Sequence, residues 1–110
     1  MGDAERRAEI ARLNDHLRLT GQGGEVFMTQ GIAALSLSQQ LAILTAVRRF
    51  DAFTPDNDPH REHDCAVLEV GGHRIIWKID YLPRQEGQDP DAAVPETVTR
   101  VMTIMLAGEY

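Results

Sequence analysis

Two adjacent glycines, Gly71-Gly72, separate two runs in which apolar and polar residues alternate, and this feature constrains the fold more than any other. A two-residue glycine turn closes a β-hairpin, because its backbone twist matches that of the strands it joins. The register then follows. Val70 faces His73, Leu68 faces Ile75 and Ala66 faces Trp77. These residues share one side with Ile79, and the small Ala66 leaves room for the indole. The other side sets Val67 opposite Ile76 and Glu69 opposite Arg74, a cross-strand ion pair. A slip of one residue would turn the whole apolar set outward, so the pattern pins the pairing. Extending the ladder past Cys65 sets His63 beside Asp80 on the wetter side.

Upstream, residues 3–19 read as a helix. Ile10, Leu13 and Leu17 recur at helical spacing, Asp3 is placed to cap the start, and Arg6, Arg7, Glu9 and Arg12 form a solvated face. Thr20-Gly21-Gln22-Gly23-Gly24 ends it. That glycine cluster follows a helix rather than a strand and lacks a Gly-Lys-Ser/Thr sequence, so it is a turn and not a phosphate loop. Residues 25–29 form a short strand, broken by Gly31. Ser36 and Gln39 make a capping box for a helix that runs to Phe50, with Leu37, Leu41, Leu44 and Val47, joined by Ile43 and Phe50, as its apolar stripe. Residues 83–93 lack periodicity and read as an exposed loop. Val94, Val98, Val101, Met102, Met105 and Leu106 follow helical spacing, so residues 95–107 are read as a third helix, with Pro95 in its first turn and Gly108 at its end. The expectation is one α+β domain, residues 1–110, with three helices packed on a small antiparallel sheet made of a strand and the hairpin.

Composition narrows function. The 110 residues carry a formal net charge of -6. Direct nucleic-acid binding needs clustered Lys and Arg, and the Trp77–Tyr81 stripe is core rather than a base-stacking platform. An acidic chain does suit a protein partner with a basic surface. Cys65 is the one cysteine, so no internal disulfide forms, in keeping with a reducing cytoplasm. Residues 1–20 show no apolar leader core, and no run is long enough to span a membrane. The expected state is cytoplasmic, monomer or homodimer, without a cofactor.

The densest chemistry lies in residues 51–64, between the second helix and the hairpin. Asp51, Asp56, Asp58, Glu62 and Asp64 face a single arginine, Arg61, among fourteen residues. These five acids are the candidate partner-binding residues. His60 and His63 are the candidate metal ligands, but zinc needs three or four converging groups and His-Arg-Glu-His is not a His-Glu-x-x-His helix. Asp56-Asn57-Asp58 opens like a calcium loop, yet Pro59 and the missing glycine spoil it. A catalytic alternative rests on His63 oriented by Asp80 as a general base. Cys65, in a strand, reads as a small packed residue rather than a thiolate.

The segments Phe50-Asp51-Ala52-Phe53-Thr54-Pro55-Asp56-Asn57-Asp58-Pro59-His60, Glu62-His63-Asp64, Trp77-Lys78-Ile79-Asp80-Tyr81 and Thr99 to Tyr110 resemble the hallmarks of a bacterial domain-of-unknown-function family, common in alphaproteobacterial genomes and their mobile elements. The resemblance covers nearly the whole chain. Cys65 stands where that pattern leads one to expect an aromatic such as Phe, which argues against a thiol role. Small acidic proteins from such contexts include inhibitors of host defence of the anti-CRISPR type. The resemblance therefore sharpens the expectation to a non-enzymatic binding protein that blocks a nucleic-acid-handling complex, such as a CRISPR effector. The alternative is a small metal-dependent or acid–base hydrolase built on His60, His63, Asp64 and Asp80.

Overall fold

A computed structural model describes residues 1–110. The hairpin forms as its alternation demands: strand β2 (Cys65–Val70) pairs with β3 (His73–Pro83) in the register derived above, from Ala66–Trp77 to Val70–His73. Gly71 and Gly72 take φ of 57° and 84°, the left-handed values that a primed turn requires and that glycine adopts without a Cβ clash. Ala66, Ile75, Trp77 and Ile79 are buried on one face. Glu69 and Arg74 lie opposite each other but form no ion pair.

The C-terminal segment overturns the helical reading. After a 3₁₀ turn at Pro95–Thr97, residues Val98–Leu106 form a strand, β4. It runs antiparallel to β3 and parallel to a short strand, β1 (Glu25–Met28), giving the sheet order β1-β4-β3-β2. The sheet is thus mixed, not purely antiparallel. Val98, Arg100, Met102 and Ile104 point inward, each at 2% exposure or less, and Met105 is covered on the opposite face. With Arg100 on the inner side and Val101 and Met105 on the outer, the sequence of this central strand shows no clean alternation. Its spacing therefore imitated a helix, while its β-branched content, Val98, Thr99, Val101, Thr103 and Ile104, was the truer signal.

Three helices accompany the sheet, so the α+β class holds: α1 (Asp3–Thr20), a single turn α2 (Gln30–Ala33) and α3 (Leu37–Arg49). Gly2, not Asp3, is the N-cap of α1, and Asp3 lies within the first turn. The Ser36–Gln39 capping box of α3 is present. Leu17 from α1, Ile32 from α2 and Ile43 and Val47 from α3 close over Trp77, Ile75, Met102 and Ile104 to form the core. Leu37 and Leu41, assigned above to the inner stripe, face outward at 71% and 56% exposure. The helices cover one face of the sheet. On the other, Phe27, Val67 and Leu82 stay exposed. No helix is long and apolar enough to cross a membrane.

Candidate functional site

The interior stripe of α1 is not wholly apolar. Asn14 and Arg18 fall on the same face as Ile10 and Leu17, and both are buried. Asn14 donates to the Tyr81 hydroxyl at 2.8 Å and to the Glu62 carbonyl at 3.0 Å, and its own oxygen accepts from Arg100 Nε at 2.7 Å. The Arg100 guanidinium also donates to the Ala92 carbonyl and lies over the Tyr81 ring. Ala92 and Ala93 are buried beside Ile10, so the loop at 83–93 is partly folded back rather than fully exposed. Burial pushes the Tyr81 phenol up to about 12 and lowers the pKa of Arg100.

Arg18 links α1 to the end of α3. Its guanidinium donates to the carbonyls of Val47 and Arg48 at 3.1 Å each and of Phe50 at 2.7 Å, at a helix C-terminus whose last carbonyls lack full intrahelical partners. It also pairs with Asp15 at 2.9 Å and lies over the rings of Phe53 and Trp77. Asp15 then reaches His63, whose Nδ1 lies 2.9 Å and 3.1 Å from its two carboxylate oxygens. The imidazole stacks flat on Phe53, centroids 3.9 Å apart and planes 3° from parallel, and its Nε2 faces Asp58 at 3.7 Å. One histidine is thus held between two carboxylates and an aromatic face.

The backbone explains why the hairpin ladder did not extend to Asp80. Its last rung is the bond from the Ile79 amide to the Asp64 carbonyl, 2.7 Å. His63 itself has φ of 54°, which turns its side chain away from the sheet towards α1. Asp80 instead accepts from Lys78 at 2.9 Å. The His63–Asp80 pair proposed from the sequence is not formed, and Asp15 takes the place of Asp80. Asp15, Arg18, Asn14 and Arg100 were missed. Polar residues at positions 14 and 18, on the stripe defined by positions 10 and 17, were the signal that could have found them.

The five acids of the loop separate. Asp51 and Asp56 are exposed, Glu62 and Asp64 are half-buried, and Asp58 is 4% exposed. Asp58 accepts from the His63 amide at 3.3 Å and 3.4 Å, so it holds the loop together and offers nothing to a partner. Asn57 ties the turn further, accepting from the Thr54 amide and donating to the Ala52 carbonyl. Burial, with Asp64 nearby, raises the Glu62 pKa. His60 is exposed and lines a depression with Arg6, Glu62 and Tyr81, separate from His63. No three His, Cys, Asp or Glu side chains gather in a way that could hold a metal ion. Cys65 is exposed at the start of β2, not packed in the core, yet partial burial and the charges of Asp64 and Asp58 raise its thiol pKa.

A groove of about 510 Å³ opens on the uncovered sheet face where the loop meets the hairpin. Val67, Ile76 and the Tyr110 ring line it, with Asn57, Asp64 and Asp80 at its polar edge and Lys78 as its one cation.

Residues 28–109 match the model of a family described as "Protein of unknown function (DUF3768)". The chain belongs to this family. The matched region includes the acidic loop, the hairpin and β4, whereas α1, which supplies Asn14, Asp15 and Arg18, precedes it. No curated protein and no solved structure matches the chain.

Proposed function

We propose that this member of the DUF3768 family is a non-enzymatic, cytoplasmic binding protein that receives a basic, partly apolar protein segment on the open face of its sheet, beside the acidic loop. The groove floored by Val67 and Ile76 and edged by Asp64 and Asp80 carries this reading. An apolar floor supplies binding energy, and a rim with more acids than bases, Asp64 and Asp80 against Lys78, supplies steering and selectivity. Asp51 and Asp56 extend the negative edge into solvent, on a loop braced from inside by Asp58, Asn57 and Arg18. A braced loop loses little further freedom on binding, which favours affinity.

The sharpest form of the proposal is an inhibitor of the anti-CRISPR type. Its acidic edge would occupy a basic surface that a CRISPR effector complex uses for DNA. The test is a pull-down from the native host, followed by a DNA-loading competition assay on the recovered complex. An Asp51→Asn, Asp56→Asn, Asp64→Asn variant should associate more slowly than the parent, with a smaller salt dependence, and Val67→Glu should accelerate dissociation. Equal binding by the parent, the triple variant and Val67→Glu would remove the groove and the loop from the interface.

A hydrolase reading is the second proposal, now with His63 and Asp15 as the acid–base pair. The 2.9 Å Asp15 contact favours it, since it fixes the ring orientation. Against it, the second ring nitrogen is directed to the buried Asp58 carboxylate, 3.7 Å away, rather than to an open cleft. Loss of a measured hydrolytic activity in His63→Gln, with the fold intact by circular dichroism, would restore this reading.

A further inference from the structure

We infer that the depression between α1 and the Arg61–His63 turn binds the phosphate group of a small phosphorylated ligand. This surface lies on the helix side of the sheet, away from the groove, and the inference does not depend on the proposal above. On a chain of net charge -6, the arginines are unevenly placed. Arg7 and Arg61 line a depression of about 720 Å³, and neither forms a salt bridge. Arg12 lies in the same wall, held in place by Glu9. An adjoining depression, which shares Asp15 and His63, is lined by Arg48 and Arg49, also without salt bridges. His63 thus borders two depressions that together carry four arginines without salt bridges.

The acids among them are mostly committed. Asp15 is held by Arg18 and His63, and Asp58 lies buried near the ring's Nε2 edge. Asp3 is the one uncommitted acid in the first depression, and Asp51 the one in the second. A planar guanidinium presents two parallel donors that match two phosphate oxygens, so Arg7 and Arg61 together can hold one phosphate from two sides.

The backbone adds an independent indication. Arg61 and His63 are the only non-glycine residues with positive φ, at 58° and 54°. Such conformations cost energy in a side-chain-bearing residue and concentrate at ligand sites. Here they swing Arg61 and His63 to the same depression. Its volume lies within the range of small-molecule sites. A long polyanion would also have to pass Asp3, Glu9 and Asp51 on an acidic protein, which disfavours a nucleic acid.

The experiment titrates the whole chain at low salt with inorganic phosphate, pyrophosphate and a nucleoside triphosphate, followed by calorimetry and backbone amide shifts. Saturable binding to at least one is expected, with shifts at residues 4–8 and 61–63. The three arms separate free phosphate from an ester or anhydride. Arg7→Gln should weaken binding about tenfold, and adding Arg61→Gln should weaken it further, since each removes charge-assisted hydrogen bonds. Arg74→Gln, on the open sheet face, should bind as the parent does. Arg7 sits on an exposed helix surface, so the single variant remains informative if the double one fails to fold. Absence of saturable binding to all three compounds, equal affinity in Arg7→Gln and Arg74→Gln, or binding only to a single-stranded oligonucleotide would overturn the inference.

Discussion

Arg18 serves three structures with one guanidinium: the end of α3, the Asp15 carboxylate and the two rings beneath it. It is 4% exposed, so its removal leaves the Arg48 and Phe50 carbonyls without their donor inside the protein, while Val47 keeps the Phe50 amide. Arg18→Met should cost about 3–5 kcal/mol, as for other broken buried charge networks, read from denaturant melts. Trp77, fully buried, should cost about 3–5 kcal/mol on truncation to Ala. Its Nε1 has no acceptor, so Trp77→Phe should cost clearly less in the same melts. Tyr81 gives a pH signature. Its phenol ionises near 12 in the folded protein, above the value of about 10 in an unfolded chain. The unfolded chain thus releases the proton first, and the contribution of Tyr81 is complete below about pH 10 and lost as pH rises towards 12. Phenolate absorbance and alkaline melts should show this slope, and Tyr81→Phe should lack it.

At the scale of elements, the sequence was most readable where one face is wet and one is dry. The hairpin register came out residue for residue because a glycine turn and an alternating pattern agree. It failed where the two faces of a strand do not differ in polarity. β4 is flanked on both edges, with Arg100 on its inner face and Val101 and Met105 on its outer one, so residue polarity does not follow the alternation of burial. α3 failed for a related reason. Leu37, Leu41, Ile43, Leu44 and Val47 spread over nearly half of its circumference, and only the sheet decides that Ile43 and Val47 go inside. The candidate site was legible as a loop rich in acids and histidines, but its actual partner, Asp15, is 48 residues away and no local pattern reaches that far. The β1–β4 contact offers a sharp test. A Cβ on Gly24 would lie 2.4 Å from the Arg100 carbonyl oxygen and 2.9 Å from its Cβ, both too close for real atoms. Gly24→Ala should therefore destabilise by about 1–3 kcal/mol, as overpacking does, with loss of hydrogen-exchange protection concentrated in β1.

Across the whole molecule, early and late segments are tied by Glu109. Its carboxylate accepts from the Thr29 hydroxyl at 2.6 Å, the Gly31 amide at 3.0 Å and the Leu106 amide at 2.9 Å, so it serves the open start of α2. The Thr29 hydroxyl foremost, and then the backbone donors, hold its pKa below the usual carboxylate range. A depressed pKa stabilises above the unfolded value and ceases to do so as pH falls through the folded one. Glu109→Gln should then lower the thermal midpoint at neutral pH and flatten its decline on acidification. β4 carries the other consequence of this connectivity. It joins β1 to β3, yet it follows both in the chain, across the segment between Pro83 and Val98. While the ribosome is still reading codons before 98, β1 has no neighbour and one edge of β3 has no partner. A message that stops in that interval yields a chain with no sheet to close, and so a ready target for proteolysis. Conversely, a break between residues 84 and 90 divides the protein into one piece that holds β1 and β3 and another that holds β4, the strand that pairs with both. Mixed in solution, those pieces should reassemble, which makes the fold a natural two-part reporter.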